Sequence, residues 1–260
     1  MRKDLTIVKV GGKVVEEPES LARLIKDFSS IKGPKILVHG GGRSATAMAT
    51  RLGIETKMVD GRRITDGAML EVVTMVYAGL VNKNIVAGLQ AHGQNALGMT
   101  GADMNIIKSH KRVKGDVDYG FVGDIDAVNH QDLSRLVLQD AVPVIAPLTH
   151  DGQGQMLNTN ADTMASAVAA ALSNEFKVTL VFCFEKKGVL SDPNDEESVI
   201  SKITPDDFAR LKAEKVITEG MIPKLDNGFD ALNKGVFQIR ITNPEGINTE
   251  DNSGTILLNT

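Results

Sequence analysis

The sequence predicts an α/β fold, a mainly parallel sheet with helices on both faces. Three observations carry that reading. Short apolar runs alternate with stretches of helical periodicity, the pattern of strand–helix–strand units. Several of these runs are apolar at nearly every position, as strands buried on both faces are. Two end in clustered glycines: Lys9-Val10-Gly11-Gly12 after Leu5-Thr6-Ile7-Val8, and His39-Gly40-Gly41-Gly42 after Ile36-Leu37-Val38. A β-rich run that stops in glycines reads as a strand entering a tight, exposed turn.

In chain order, strands are expected at Leu5–Val10, Lys35–Val38, Asn95–Met99, Val142–Ala146, Val178–Cys183 and Phe237–Ile241. Pro18–Ile31 reads as a helix because Leu21, Leu24, Ile25 and Phe28 recur at i, i+3, i+4 and i+7. Asp66–Gln90 is apolar around more than one helical face, which points to a second partner such as another subunit. Gly101–Asn129 breaks the rhythm. Its short β-like pieces, Asn105–Lys108 and Gly120–Val122, suggest a β-hairpin region or a lid over a site. Asn160–Leu172 is an Ala-rich helix, and Pro205–Leu211 a short one with Thr204 as N-cap. The acidic segment Ser191–Ser198 reads as a surface loop, and no flexible linker divides the chain.

Composition narrows the function. At 260 residues the chain is one large α/β domain or two small ones, long enough to bury a core without disulfides or structural metal. Its net charge is −4, with no basic stripe and no Trp, which argues against nucleic-acid binding. The only cysteine, Cys183, sits in an apolar run and reads as a core residue, so one chain can form neither a disulfide nor a Cys-based metal site. Met1-Arg2-Lys3-Asp4 leads straight into a strand without a signal peptide, and no apolar run approaches the roughly 18 residues a bilayer span needs. A cytoplasmic protein that does not engage membranes is expected.

Clustered glycine N–H groups near a helix start favour anions, phosphate above all, and Lys9 adds a cation at the first cluster. A pair of ordinary strand-to-helix turns is the alternative. The P-loop, protein-kinase and G-x-G-x-x-G signatures are absent, so phosphate chemistry would need another architecture. Asn158-Thr159-Asn160-Ala161-Asp162 puts Asp162 in a helix's first turn, with Asn160 placed to cap. A cap alone accounts for one of these polar residues, not for all of them. Gly220-Met221-Ile222-Pro223-Lys224 puts a lysine in another first turn, where the helix dipole disfavours it. It is either a solvated surface lysine or a phosphate ligand.

The ordered set of Lys9-Val10-Gly11-Gly12, His39-Gly40-Gly41-Gly42, Gly61-Arg62-Arg63-Ile64-Thr65, Asn158-Thr159-Asn160-Ala161-Asp162 and Gly220-Met221-Ile222-Pro223-Lys224 resembles the amino acid kinase family. It is most similar to the branch that phosphorylates N-acetyl-L-glutamate in arginine biosynthesis. The resemblance implies an open αβα sandwich around a central, mainly parallel sheet. Residues 1–174 would form a lobe for the acylated glutamate and a homodimer contact, and residues 175–260 a lobe for ATP. MgATP would phosphorylate the γ-carboxylate, with Mg2+ held mainly by the nucleotide phosphates and no metal site in the protein. Residue by residue, it implies that Lys9 and Lys224 contact the transferring phosphoryl and that Asp162 orients both. Gly11, Gly12, Gly41 and Gly42 would supply N–H groups, and Arg63 and Asn158 would clamp the α-carboxylate. Lys186, Lys187 and Met221 would meet the nucleotide. A carboxylate nucleophile is already ionised at neutral pH, so no histidine is required as a base, and His39 reads as structural.

Three departures from the family's pattern matter. The nucleotide loop, usually close to Leu-Thr-Asp-Val-x-Gly-Val, is Cys183-Phe184-Glu185-Lys186-Lys187-Gly188-Val189 here. The chain begins just before its first strand, without the N-terminal helix of arginine-inhibited hexamers, so a dimer insensitive to arginine is expected. Arg62 replaces the leucine that precedes the clamping arginine. Either it points to solvent with its stem packing as the leucine would, or it meets an acyl group with its own carboxylate, as in N-succinyl-L-glutamate. A non-catalytic amino-acid or nucleotide sensor of the same fold is the competing class. Retention of Lys9, Asp162 and Lys224 together argues against it.

Overall fold

The computed structural model describes residues 2–59, 62–217, 221–248 and 253–259. The chain begins β1 (Lys3–Val10), α1 (Gly12–Glu16), α2 (Pro18–Ser30), β2 (Lys35–His39), α3 (Gly42–Arg51), β3 (Met58–Val59) and β4 (Arg62–Arg63). A continuous helical run follows: α4 (Gly67–Val73), a π-helical segment Thr74–Val81 and α5 (Asn82–Ala91). Next come β5 (Ala96–Met99), β6 (Ile107–Lys111), β7 (Gly123–Val128), α6 (His130–Leu138), β8 (Val142–Ile145), β9 (Leu148–His150), β10 (Met156–Asn158) and α7 (Ala161–Leu172). The last elements are β11 (Phe176–Cys183), β12 (Lys202–Ile203), α8 (Pro205–Ala213), α9 (Ile222–Asn233), β13 (Gln238–Thr242) and β14 (Thr255–Leu257).

The central sheet has eight strands in the order β12-β14-β13-β11-β1-β2-β8-β5. Its pairs are parallel except β13 with β14. Alternation along β1 sends Leu5 and Ile7 into one apolar cluster with α6 to α9, and Val8 and Val10 into the other with α1 to α5. The two clusters are the two interfaces of an αβα sandwich. All six strands read from the sequence form in this sheet. The short strands β12, at the edge, and β14, beside it, leave no sequence signal, since two or three residues carry no usable period.

The strand order diverges at β1, with β2 on one side and β11 on the other. In open α/β sheets the crevice beyond the strands' carboxyl ends at such a point is where ligands bind. Lys9 and the first glycine pair lie there.

The middle region departs from expectation in detail. A second sheet, β10-β9-β6-β7, stands beside the first, and β3 with β4 forms a small ribbon. Its hairpin strands are Ile107–Lys111 and Gly123–Val128, each shifted toward the C-terminus of the pieces read from sequence. Met104 and Asn105 take positive φ in a turn, and Gly120 at φ 71° bridges to Thr65 instead of extending a strand. Both features are backbone conformations that apolar patterning does not signal.

Asp66 caps the long helical run by accepting from the Met69 amide at 2.8 Å. Gly67–Ala91 is 25 residues and apolar enough to cross a membrane by length and composition, which corrects the expectation that no run approaches that size. Here Met69, Val72, Val73, Val76, Val81, Ile85 and Leu89 are buried in the core, while Met75 and Leu80 are half exposed. Thr204 caps α8 in a full capping box with Asp207, as its position suggested. The segment 191–198 is a largely exposed loop. Cys183 is buried, and burial pushes its thiol pKa up.

Candidate active site

Lys9 lies on the same face of β1 as Leu5 and Ile7, which turns it toward α7. Asn160 is the N-cap of α7, its side chain accepting from the Thr163 amide at 3.0 Å. Asp162 is therefore not the cap and is left for another task. Lys9 Nζ sits 2.7 Å from Asp162 Oδ1, and Lys224 Nζ, from the first turn of α9, sits 3.8 Å from Oδ2. One carboxylate thus faces two ammonium groups brought from opposite ends of the sequence. Burial pushes the Asp162 carboxyl up. Lys9 and Lys224 outweigh it and hold the group below the usual carboxylate range. Thr218 to Gly220, including the glycine before Met221, lie outside the described residues.

The glycine clusters meet at this point. α1 starts at Gly12 and α3 at Gly42, neither with a side-chain cap. A Cβ on Gly12 would lie 3.5 Å from the amide nitrogens of both Gly41 and Gly42, and one on Gly40 only 3.1 Å from the Gly12 nitrogen. The loops touch backbone to backbone. The expected donor set needs one correction. Gly11 donates its N–H to the Cys183 carbonyl at 3.0 Å, so it ties β1 to β11 and is already engaged. Gly40 is likewise committed to the Val10 carbonyl. The first-turn amides of Gly12 and Gly42, with Gly41 between the loops, remain the converging donors.

A cavity of about 250 Å3 opens in front of these groups. Lys9, Asp162 and Gly40 to Gly42 form one part of its wall, and Arg62, Arg63, Arg112 and Asn158 another. Arg63 is held by the Gly42 carbonyl at 2.8 Å and Thr46 Oγ1 at 2.9 Å. Asn158 donates to Thr65 Oγ1 at 3.0 Å. The structure therefore brings Lys9, Asp162, Gly41, Gly42, Arg62, Arg63 and Asn158 to one cavity, with Lys224 joined to it through Asp162. Gly61 lies outside the described residues.

A second, more apolar cavity of about 160 Å3 is lined by Phe184, Lys186, Val189 and Leu190, which follow β11, with Val216 and Met221 among others. Of the nucleotide residues read from the sequence, Lys186 and Met221 are on its wall. Lys187 is not. It pairs with Glu197 of the exposed loop, and Lys186 pairs with Glu196 at 3.0 Å.

Three contributors escaped the sequence. Glu16 accepts from the Ser44 amide at 2.6 Å and so binds α1 to the start of α3. Tyr77 packs beneath Gly41, where an added Cβ would come within 2.9 Å of the ring. Burial pushes its phenol pKa up, partly offset by Arg63. Arg112 reaches the cavity from just beyond β6. Only Tyr77 left a signal, a lone phenol inside an apolar helical run. His39 is structural, as expected: it is fully buried, with Nδ1 at 2.8 Å from the Gly40 carbonyl and Nε2 at 3.1 Å from Asn82 Nδ2.

The sequence profile of the amino acid kinase family matches residues 4–243. The chain belongs to the amino acid kinase family. It is 62% identical over 257 residues to the acetylglutamate kinase of Phocaeicola vulgatus, covering 99% of each chain. It is 57% identical to the acetylglutamate kinase of Cytophaga hutchinsonii, covering 94% of this chain and 92% of the other. Among solved structures, a Streptococcus mutans UA159 protein superposes with a TM-score of 0.81 at 26% identity, over 98% and 99% of the two chains. In this amino acid kinase the loop after β11 is heavily ion-paired. Glu185 lies 3.6 Å from Lys13 of α1, which links that loop to the first glycine turn.

Proposed function

We propose that this amino acid kinase is an acetylglutamate kinase, transferring the γ-phosphoryl of ATP to the γ-carboxylate of N-acetyl-L-glutamate in arginine biosynthesis. The observation that carries the reading is Asp162 between Lys9 and Lys224, beside the converging amides of Gly12, Gly41 and Gly42. The names and near-complete coverage of the curated relatives support the same substrate.

The chemistry follows from the charges. A carboxylate attacking a polyphosphate brings two anions together, and little covalent work is left for the protein. Lys9 and Lys224 offset that repulsion where charge builds on the transferring phosphoryl. The glycine amides are fixed donors that need no reorganisation. Asp162 keeps the two ammonium groups apart and oriented, a positioning task and not a proton transfer, since its carboxyl is held ionised. Arg63 and Asn158, anchored by Gly42, Thr46 and Thr65, clamp the α-carboxylate and fix the γ-carboxylate in line. The apolar cavity lined by Met221 and Val189 would take the base of ATP, and Lys186 and the glycine turns would meet its phosphates. Among the described residues no three His, Cys, Asp or Glu side chains cluster as a metal cage. Mg2+ would be carried mainly by the nucleotide phosphates, whose charge it would offset. The exposed Met75 and Leu80 on the long apolar helix support a homodimer built on that face, and a cytoplasmic location suits these substrates.

The test is ADP release by the purified protein with ATP, Mg2+ and a panel of N-acetyl-L-glutamate, free glutamate and carbamate. The reading requires turnover dependent on the acylated glutamate. Turnover only with another acceptor, or nucleotide binding without turnover, contradicts it.

A further inference from the structure

Four cationic side chains line the substrate cavity: Lys9, Arg62, Arg63 and Arg112. Two are already neutralised by the protein. Lys9 is paired with Asp162 at 2.7 Å. Arg112 grips Asp124 through both Nε and Nη2, with Nε 3.0 Å from Oδ2. The other two are not. Among the described residues Arg63 is bound by neutral groups: the Gly42 carbonyl, the hydroxyls of Thr46 and Thr56, the Met69 sulfur and the Tyr77 phenol. Among the described residues no carboxylate lies within 4 Å of Arg62. Among the described residues, neither Arg62 nor Arg63 makes a direct ion pair with a carboxylate, although Asp124 lies close enough to Arg62 to interact with it through space.

An N-acetylglutamate has two carboxylates. One is the nucleophile and belongs with Lys9 and the glycine amides. The other satisfies one guanidinium. A second guanidinium on the wall is then left facing the acyl end, where an acetyl methyl offers it nothing. Arg62 stands on β4 beside Met58 and Val59 of β3, with Arg112 on the same wall. It is also near enough to the Arg112–Asp124 pair to help hold the Asp124 carboxyl low, after the larger contribution of Arg112 itself. Arg112 is positioned by Asp124 and backed by the Tyr119 ring at 5.6 Å. The two arginines present adjacent N–H donors on a wall that Val122 and Met58 keep partly apolar.

We propose that this wall is a subsite for an acyl group ending in its own carboxylate, so that the enzyme accepts N-dicarboxylacyl-glutamates of the succinyl type, with Arg62 as the specificity-determining residue. This rests on the acylglutamate kinase reading and deepens it. A carboxylate there pairs with a guanidinium that makes no direct ion pair among the described residues, and a forked, charge-assisted contact is the kind arginine makes best.

The experiment compares kcat/KM for N-acetyl- and N-succinyl-L-glutamate in the wild type, Arg62→Leu and Arg62→Lys, with melting temperatures as folding controls. The wild type is expected to turn over both. The succinyl-to-acetyl ratio of kcat/KM should fall at least about tenfold in Arg62→Leu, the change expected from losing one charge-assisted contact, and less in Arg62→Lys. The succinyl KM should also rise more steeply with salt than the acetyl KM. A wild type that does not use the succinyl substrate, or a ratio unchanged in Arg62→Leu, overturns the subsite and leaves the kinase reading standing; Arg62 is then a solvated residue. No turnover of either substrate overturns the kinase reading and the subsite with it.

Discussion

Replacing Asp162 by Asn removes one negative charge from between two lysines and scarcely changes the shape of the side chain. The pair with Lys9 is largely buried, at 13% and 7% side-chain exposure, so Asn leaves an ammonium group desolvated and uncompensated. At an effective dielectric near 20, two unit charges about 4 Å apart attract by about 4 kcal/mol before desolvation is counted. Breaking a buried pair by removing one partner costs about 3–5 kcal/mol. Helix α7 loses little besides, because its cap is Asn160. Urea unfolding of Asp162→Asn should show a loss in that range, and kcat should fall with it because both lysines lose their orientation. The double variant Lys9→Met with Asp162→Leu separates the two effects: stability should recover in part, while turnover should not. The pH–rate profile of the wild type should show no limb from Asp162 between pH 5 and 8, since its carboxyl is held below the ordinary range. A loss of only about 1 kcal/mol with near-normal turnover would mean that Asp162 merely complements the helix dipole, and the reasoning would be refuted.

Three further outcomes follow from the geometry. Gly41→Ala would place a Cβ 2.9 Å from the Tyr77 ring, so it should cost about 1–3 kcal/mol and raise the acylglutamate KM, checked by melting and steady-state kinetics; an unperturbed enzyme would show that the loop is not confined there. Burial lowers the His39 pKa to about 4, against an ordinary value of 6.5. Below pH 6.5 the unfolded chain therefore takes up a proton that the native chain refuses, and stability should fall by about 3 kcal/mol as pH drops from 6.5 to 4. Urea titrations across that window should show a shallower loss in His39→Gln, and an identical slope would contradict the assignment. Met75→Glu with Leu80→Glu should convert the proposed dimer to monomers by light scattering; a monomeric wild type would remove the proposal.

Much of the central sheet was legible because its buried strands are apolar at almost every position, which fixes both their existence and their ends to within two residues. The site was legible in part. Lys9, Asp162 and Lys224 stand out because each is a charged residue where local physics argues for something else: at the end of an apolar strand, beyond a cap already supplied, and in a first turn that disfavours cations. What the pattern could not show is how spent each group is. Gly11 looks like Gly12 in sequence, yet its amide is bonded to Cys183. Lys187 looks like Lys186, yet only Lys186 reaches the apolar cavity. Arg112 and Glu16 act through partners 12 and 28 residues away, and no local spacing encodes such pairings. The π-helical segment beneath Gly41 was read as an ordinary helix because one extra residue in a uniformly apolar run leaves no mark on its periodicity.

The central claim is that Lys9 and Lys224 act on the transferring phosphoryl and not merely on bound substrate. The most direct measurement is formation of the acyl phosphate, trapped with hydroxylamine as the hydroxamate, from N-acetyl-L-glutamate and ATP in wild type, Lys9→Ala and Lys224→Ala, with ATP affinity measured on the same samples. Each substitution should lower kcat by about 10²–10³, the range for losing one electrostatic donor at the reacting centre, while ATP affinity changes far less. An unchanged kcat with weakened ATP binding would assign both lysines to ground-state anchoring and contradict the account.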